Sequence, residues 1–339
     1  MIESLLFPYR RQHLPWLRPG ARVLFLNAQE APELKDLSVV AVQPRYDLAA
    51  PLLERGCEVQ AGVEPSQAAR FDTVWLLPGK DQQETQYWLA QAVMASKTGG
   101  TLVAAAPNNA GGKRLKNLFE KLGLAPSEES KNKARVVFAT VDAGWNRSQA
   151  AQWRERGQEQ AVMAGTIISR PGLHSWDKAD AGSELLARHL PRDLGGAVAD
   201  FGCGWGYLSL CAAKQAPHIQ NLTVVDVDAR AVRLAEKNIH RQYPSLPVHA
   251  VWTDLTRPDV QLGPFEVILL NPPFHLGTRA VPALGQVLIT AAARMLAPAG
   301  RLYLVANRHL PYEKTLQTRF SQVELVTEEG GFKVMVCRR

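Results

Sequence analysis

The sequence predicts an α/β protein made of two tandem doubly wound, Rossmann-like domains, and three observations carry that expectation. Short apolar runs alternate with helical stretches through both halves of the chain, the rhythm of a parallel sheet wrapped by helices. The 339 residues are enough for two separate cores. The halves also repeat one pattern at an offset of roughly 200 residues, as a tandem duplication requires.

In the first half a basic start (Arg10, Arg11, Arg18, Arg22) leads into a strand at Arg22–Leu26. Leu37–Val42 is apolar, Leu48–Arg55 has helical spacing, and Thr73–Leu77 reads as a buried strand. Helical periodicity runs through Gln82–Ala95 until Gly99-Gly100 breaks it before a strand at Thr101–Ala105. A basic helix, Gly112–Leu122, and a strand, Ala134–Thr140, follow. Ala143–Gly165 is rich in Gln and Arg, polar enough for a linker or a solvated helix, and the domain boundary is placed within it. The expected domains are 1–150 and 151–339.

The second half repeats the alternation, with strands near Ala197–Phe201, Leu222–Val225, Pro247–Val251, Phe265–Leu270, Arg301–Val305, Gln322–Val326 and Phe332–Cys337. Its clearest helices are Ala229–Arg241 and Val281–Leu296. FDTVWLLPGK at Phe71 parallels FEVILLNPPF at Phe265, and GGTLVAAAPN at Gly99 parallels AGRLYLVANR at Ala299. The copies differ where chemistry would sit. Pro78-Gly79-Lys80 stands for Asn271-Pro272-Pro273, and Leu26-Asn27-Ala28-Gln29 stands for a glycine-rich turn. The first domain is therefore expected to be degenerate, a scaffold or RNA-docking unit.

Composition narrows the class. Hydrophobic residues at 46% and charged residues at 21% are ordinary for a globular protein, and a net charge of +7 gives weak support for a polyanionic partner. Four scattered cysteines (Cys57, Cys203, Cys211, Cys337) show no ligand spacing, so no metal is expected and a reducing cytoplasmic setting fits. The first residues lack the apolar core of a signal peptide, and no run has the length of a membrane span, so no membrane partner is expected.

Two motifs in the second half suggest a reaction. Asp200-Phe201-Gly202-Cys203-Gly204-Trp205-Gly206 follows a strand and precedes a helix. Glycines at alternate positions let backbone bend sharply and approach a ligand. The spacing is not the G-x-G-x-x-G of a dinucleotide site. An acid ahead of the first glycine suits the ammonium of S-adenosylmethionine better than a pyrophosphate. Asp226, with Asp228 in reserve, closes the next strand and is placed for ribose hydroxyls. Asp254, after the third strand, suits the adenine amine. Trp205 is bulky for the loop and is expected to cover the cofactor.

The other motif is Asn271-Pro272-Pro273-Phe274, a stiff turn at the end of a buried strand. An amide oxygen and a proline carbonyl could accept both N–H bonds of a planar amine and turn its lone pair toward an electrophilic methyl. Phe274 could stack on the base. His275 and a basic cluster (Lys113, Arg114, Lys116, Lys121, Lys131, Lys133, Arg135) could touch RNA or be ordinary solvated surface.

With these residues in hand, the second half resembles the class I methyltransferases that modify guanine N2 in ribosomal RNA, the small-subunit methyltransferase C type. The segment Pro171–Ser183 resembles the family's opening motif, with His174 where Phe is usual. Val305–Tyr312 and Phe332–Val334 resemble its closing pattern. The resemblance implies two class I methyltransferase domains, the first degenerate, S-adenosylmethionine as cofactor, and small-subunit rRNA as partner of a monomeric cytoplasmic enzyme. Alternatives are a large-subunit guanine-N2 enzyme, an adenine-N6 DNA or protein-glutamine methyltransferase, and a non-catalytic assembly factor.

Overall fold

A computed structural model describes every residue except Asp36, Phe274, Gly277, Thr278 and Val281, and the side chains of all but these and Pro65, His275, Leu276, Arg279 and Ala280. The chain forms two compact units, Met1–Gln160 with Arg170–Gly172, and Ala161–Ser169 with Leu173–Arg339. The division falls about ten residues beyond the boundary expected from sequence.

The first unit opens with two short helices, α1 (Ile2–Leu5) and α2 (Phe7–Arg10). Its strands are β1 (Arg22–Leu26), β2 (Ser38–Val42), β3 (Glu58–Gln60), β4 (Phe71–Leu76), β5 (Ser96–Pro107), β6 (Ser127–Lys131) and β7 (Ala134–Val141). Between and after them lie α3 (Tyr46–Glu54), α4 (Gln82–Ala95), α5 (Leu115–Lys121) and α6 (Arg147–Gly157). The sheet order is β3-β2-β1-β4-β5-β7-β6, parallel except around β7, which pairs antiparallel with both its neighbours.

The stretch read as a linker or a solvated helix contains α6, which is a helix packed into this unit. Ala150, Trp153 and Gly157 recur at helical spacing and are buried, and a Cβ on Gly157 would lie 2.3 Å from Cβ of Tyr87 on α4. The overall polarity of 143–165 conceals that narrow apolar stripe.

The second unit starts with the short strands β8 (Gln160–Val162) and β9 (Ile167–Ser169), then α7 (Ala181–Arg188). Its main sheet uses β10 (Gly195–Phe201), β11 (His218–Asp226), β12 (Val248–Trp252) and β13 (Phe265–Leu270). After the two-residue pair β14 (His275–Leu276) and β15 (Arg279–Ala280), β16 (Leu296–Asn307), β17 (Gln322–Glu329) and β18 (Phe332–Arg338) complete it. The intervening helices are α8 (Tyr207–Gln215), α9 (Ala229–Gln242), α10 (Pro282–Met295) and α11 (Glu313–Arg319). The order β12-β11-β10-β13-β16-β18-β17 repeats the first sheet strand for strand.

The central strands of both sheets are buried between helices on each face, which is why their sequences are nearly continuous apolar runs. Strand order reverses at β10 and β13, and the carboxyl ends flanking such a switch point form the usual ligand crevice of open α/β sheets.

Register corrects one expectation about the degenerate copy. Phe201 pairs with Leu270 in the second sheet, and Leu26 with Leu76 in the first, so the counterpart of Asn271 is Leu77 rather than Pro78. Leu77 is buried and has no side-chain acceptor. By the same register, Gln43 is the counterpart of Asp226. Buried Gln43 donates from Nε2 to the Ala28 carbonyl at 2.7 Å, tying down the loop that stands where the glycines would be.

Among the described residues, no helix is long and apolar enough to cross a membrane, and no group of three or more His, Cys, Asp or Glu is placed to hold a metal ion.

Candidate active site

Four chain segments meet at the carboxyl ends of the second sheet because their strands end in register. Phe201 pairs with both Val225 and Leu270, and Asp226 pairs with Trp252. Gly202, Asp226, Thr253 and Asn271 therefore sit at the ends of adjacent strands. This brings together the glycine loop, Asp226 and the Asn-Pro-Pro turn, which the sequence spreads over about 70 residues.

The loop is shaped by backbone. Gly202, Gly204 and Gly206 have φ of +78°, +53° and +94°, and a Cβ on Gly202 or Gly204 would meet nothing within 4 Å. Gly206 serves packing instead: its Cβ would come within 3.0 Å of Ala235 Cα on α9. Asp226 takes the Gly204 N–H on Oδ2 at 3.0 Å and the Asp228 N–H on Oδ1 at 2.9 Å. Asp228 is committed to Arg230, with Arg230 Nη2 2.7 Å from Oδ2.

Asp200 lies beneath the loop, 1% exposed. Its Oδ2 accepts from the Ser209 N–H at 3.1 Å and from Ser209 Oγ at 2.7 Å, so it satisfies the first turn of α8. Burial raises its carboxyl to about 6 despite those bonds. Cys203 is buried, and its thiol is pushed well above the ordinary value, chiefly by burial, which leaves it unsuited to nucleophilic chemistry. Asp254 accepts from Thr256 N and Oγ1 at 2.9 and 2.7 Å and stays partly exposed.

Trp205 does not stand free above the loop. It is 3% exposed and donates from Nε1 to the Ser175 carbonyl, which fastens the 173–176 segment to the glycine turn. Asn238, which sequence reading passed over, completes the fastening. From α9 it accepts from Ile168 N at 2.8 Å and donates to the carbonyls of Ile168 and Trp205 at 2.8 and 3.0 Å. The available signal was an amide amid the apolar positions of a helix.

Asn271 is half-buried, Pro272 buried and Pro273 exposed; Phe274 lies outside the described residues. Asn271 Nδ2 donates to Asp180 Oδ1 and to Ser183 Oγ, both at 2.8 Å. Asp180 also caps α7, taking the Ser183 N–H at 3.0 Å. His174 is exposed, its Nε2 3.6 Å from Asp180 Oδ2. That contact first, with the Ser183 N–H and the Asn271 amide, holds the Asp180 carboxyl at about 2 against its burial, and it raises His174. The closing pattern resolves into packing: buried Lys333 donates to the Leu310 carbonyl at 2.7 Å and pairs with Glu313.

These residues fit S-adenosylmethionine. The glycines bend the loop backbone at positive φ, a partly exposed carboxylate, Asp226, lies beside it, and Asp254 stands at the end of the next strand. Asn271 leaves the strand beside the loop with its amide already held.

The Methyltransferase small domain family matches residues 164–336. A ribosomal RNA small subunit methyltransferase C of Aeromonas hydrophila is 30% identical over 80% of this chain and 78% of its own length. One of Yersinia enterocolitica is 29% identical over 85% and 81%. The T. thermophilus 16S rRNA N2 G1207 methyltransferase, solved in complex with AdoMet and guanosine, superposes with a TM-score of 0.77 over 95% of this chain and 89% of its own. At 24% identity that last likeness is one of fold.

Proposed function

Because the chain belongs to the ribosomal RNA small subunit methyltransferase C family, we propose that it methylates the exocyclic N2 amine of a guanine in 16S rRNA, using S-adenosylmethionine. The observation that carries this reading is the paired ending of β10 and β13 at Phe201 and Leu270. It sets the cofactor loop and Asn271 side by side.

Bound S-adenosylmethionine supplies an electrophilic sulfonium methyl. Gly202 and Gly204 hold its methionine end against backbone, Asp226 takes the ribose hydroxyls, and Asp254 receives the adenine amine. The guanine amine is a poor nucleophile because its lone pair is delocalised into the ring. Asn271 Oδ1 and the Pro272 carbonyl accept its two N–H bonds, Phe274 stacks on the ring, and the lone pair is directed outward. Asp180, held at about 2, is too acidic to act as a base at neutral pH, and the proton leaves to solvent after transfer. The reaction belongs to the cytoplasm, and the protein acts as a monomer. The first unit docks RNA without binding cofactor, with Leu77 and Gln43 in the places of Asn271 and Asp226.

Incubation with labelled S-adenosylmethionine and, in parallel, small subunits, large subunits and protein-free rRNA tests the reading, followed by nucleoside mass spectrometry. N2-methylguanosine in 16S rRNA is expected. Label confined to the large subunit, or N6-methyladenosine in the digest, would overturn it.

A further inference from the structure

We propose that Asp180 and Ser183 are positioning residues that dictate which end of the Asn271 amide faces the target base. The inference rests on the guanine-N2 reading above. An ionised carboxylate can only accept hydrogen bonds, so the end of Asn271 lying 2.8 Å from Asp180 Oδ1 is its NH2 group. The surrounding network assigns the amide, as it must when oxygen and nitrogen have the same shape. Ser183 Oγ, also at 2.8 Å, takes the second hydrogen. Both donors of Nδ2 are then used, and Oδ1 is the end left for the substrate.

Orientation matters because the two ends have opposite chemistry. Oδ1 facing the guanine amine accepts an N–H and turns the lone pair away. The NH2 end would set hydrogens against hydrogens. Reversing the amide in the native site would give up both bonds and place Oδ1 against a carboxylate that stays ionised at physiological pH. Asp180 and Ser183 lie 91 and 88 residues before Asn271, on the first turn of α7 and its cap, so a rigid element delivers the restraint.

A purely structural role is the competing explanation, since Asp180 also caps α7. A rescue separates the two. Asp180→Ala with Ser183→Ala removes both acceptors and should lower kcat about 100-fold, the scale on which losing one preorganised hydrogen bond acts. KM for small subunits and affinity for S-adenosylmethionine should change little. Adding Asn271→Asp should recover about tenfold or more, because a carboxylate presents oxygen at either end and needs no orienting. Binding gives a second readout: preference for guanosine over inosine, which lacks the 2-amino group, should vanish in the double variant and return in the triple. Ser183→Ala alone leaves the cap in place and should lower kcat in the same direction by a smaller factor, which decides the matter should the double variant fail to fold. A double variant within about threefold of wild type in kcat overturns the proposal, as does a triple variant no better than the double, since such steps are far below the expected scale. Wild-type protein that transfers no methyl to guanine N2 would instead overturn the functional reading.

Discussion

On the proposed mechanism, replacing Asn271 by Ala removes the acceptor for the target amine while leaving the glycine loop untouched. Turnover should fall by about 100- to 1,000-fold with cofactor affinity preserved, which label incorporation and calorimetry separate. Asn271 was legible in the sequence because its neighbours are: two prolines after a buried run announce a turn at a strand end. Asp180 was visible only as part of the Pro171–Ser183 motif and Asn238 not at all, since their bonds join residues 91 and 70 positions apart and depend on which strands become neighbours. The sequence marks Asp200 as the acid ahead of the first glycine, but its burial under Ser209 could not be read there. That burial has a pH signature. The folded-state carboxyl titrates at about 6 against an ordinary 3.8, so in between the native state keeps a proton that the unfolded chain has released. Stability from this group is present at pH below about 4 and is lost as pH rises through 6, by about 3 kcal/mol for a shift of that size. Asp200→Asn keeps an acceptor for Ser209 and should flatten that segment of the profile. Urea midpoints of ligand-free protein at pH 4 and 7 would show it, and an unchanged slope would assign the dependence to another group.

At the scale of elements, the glycine loop divides into two functions that a single substitution type can separate. Gly204→Ala adds a Cβ where no atom lies within 4 Å and at a φ of +53° that costs about 1 kcal/mol. It should leave folding nearly intact and weaken cofactor binding. Gly206→Ala drives its Cβ to 3.0 Å from the α9 backbone and should chiefly lower the melting temperature. Equal effects of both substitutions on affinity and melting would refute the division. Central elements were readable because propensity and burial agree there: Arg22–Leu26, Gln82–Ala95 and Phe265–Leu270 match the structure to the residue. The polar edge strands Glu58–Gln60 and Ser127–Lys131 went unread, since hydrogen bonding to one neighbour defines them and no apolar pattern marks them. Helix α6 was obscured for the related reason that a three-residue stripe carries its packing.

Across the whole molecule, one topology occurs twice and carries its chemistry once. Leu77 and Gln43 replace the amide and the acid, and Gln43 occupies its own loop carbonyl, so full-length protein should bind S-adenosylmethionine at one site per chain by calorimetry. A stoichiometry of two would restore function to the first unit. What that unit contributes instead is open to a salt titration. Of its basic cluster, Arg135 is paired with Glu128, Lys131 lies over the Phe7 ring, and Arg114 donates to Gln82 and the Lys80 carbonyl. Lys113, Lys116 and Lys121 are exposed on and beside α5, whose opposite face is buried through Leu115, Leu118 and Phe119. A net charge of only +7 gives weak purchase on unstructured strands, and extruding a base costs a few kcal/mol, so docking against structured RNA would help offset that cost. Each phosphate contact contributes nearly one unit to the slope of log affinity against log salt. Replacing Lys113, Lys116 and Lys121 together by Ala should therefore flatten the slope for small-subunit binding by about two to three units, with kcat at saturating substrate unchanged. A slope identical to wild type would return these lysines to ordinary solvated surface and leave the grip on RNA to other residues.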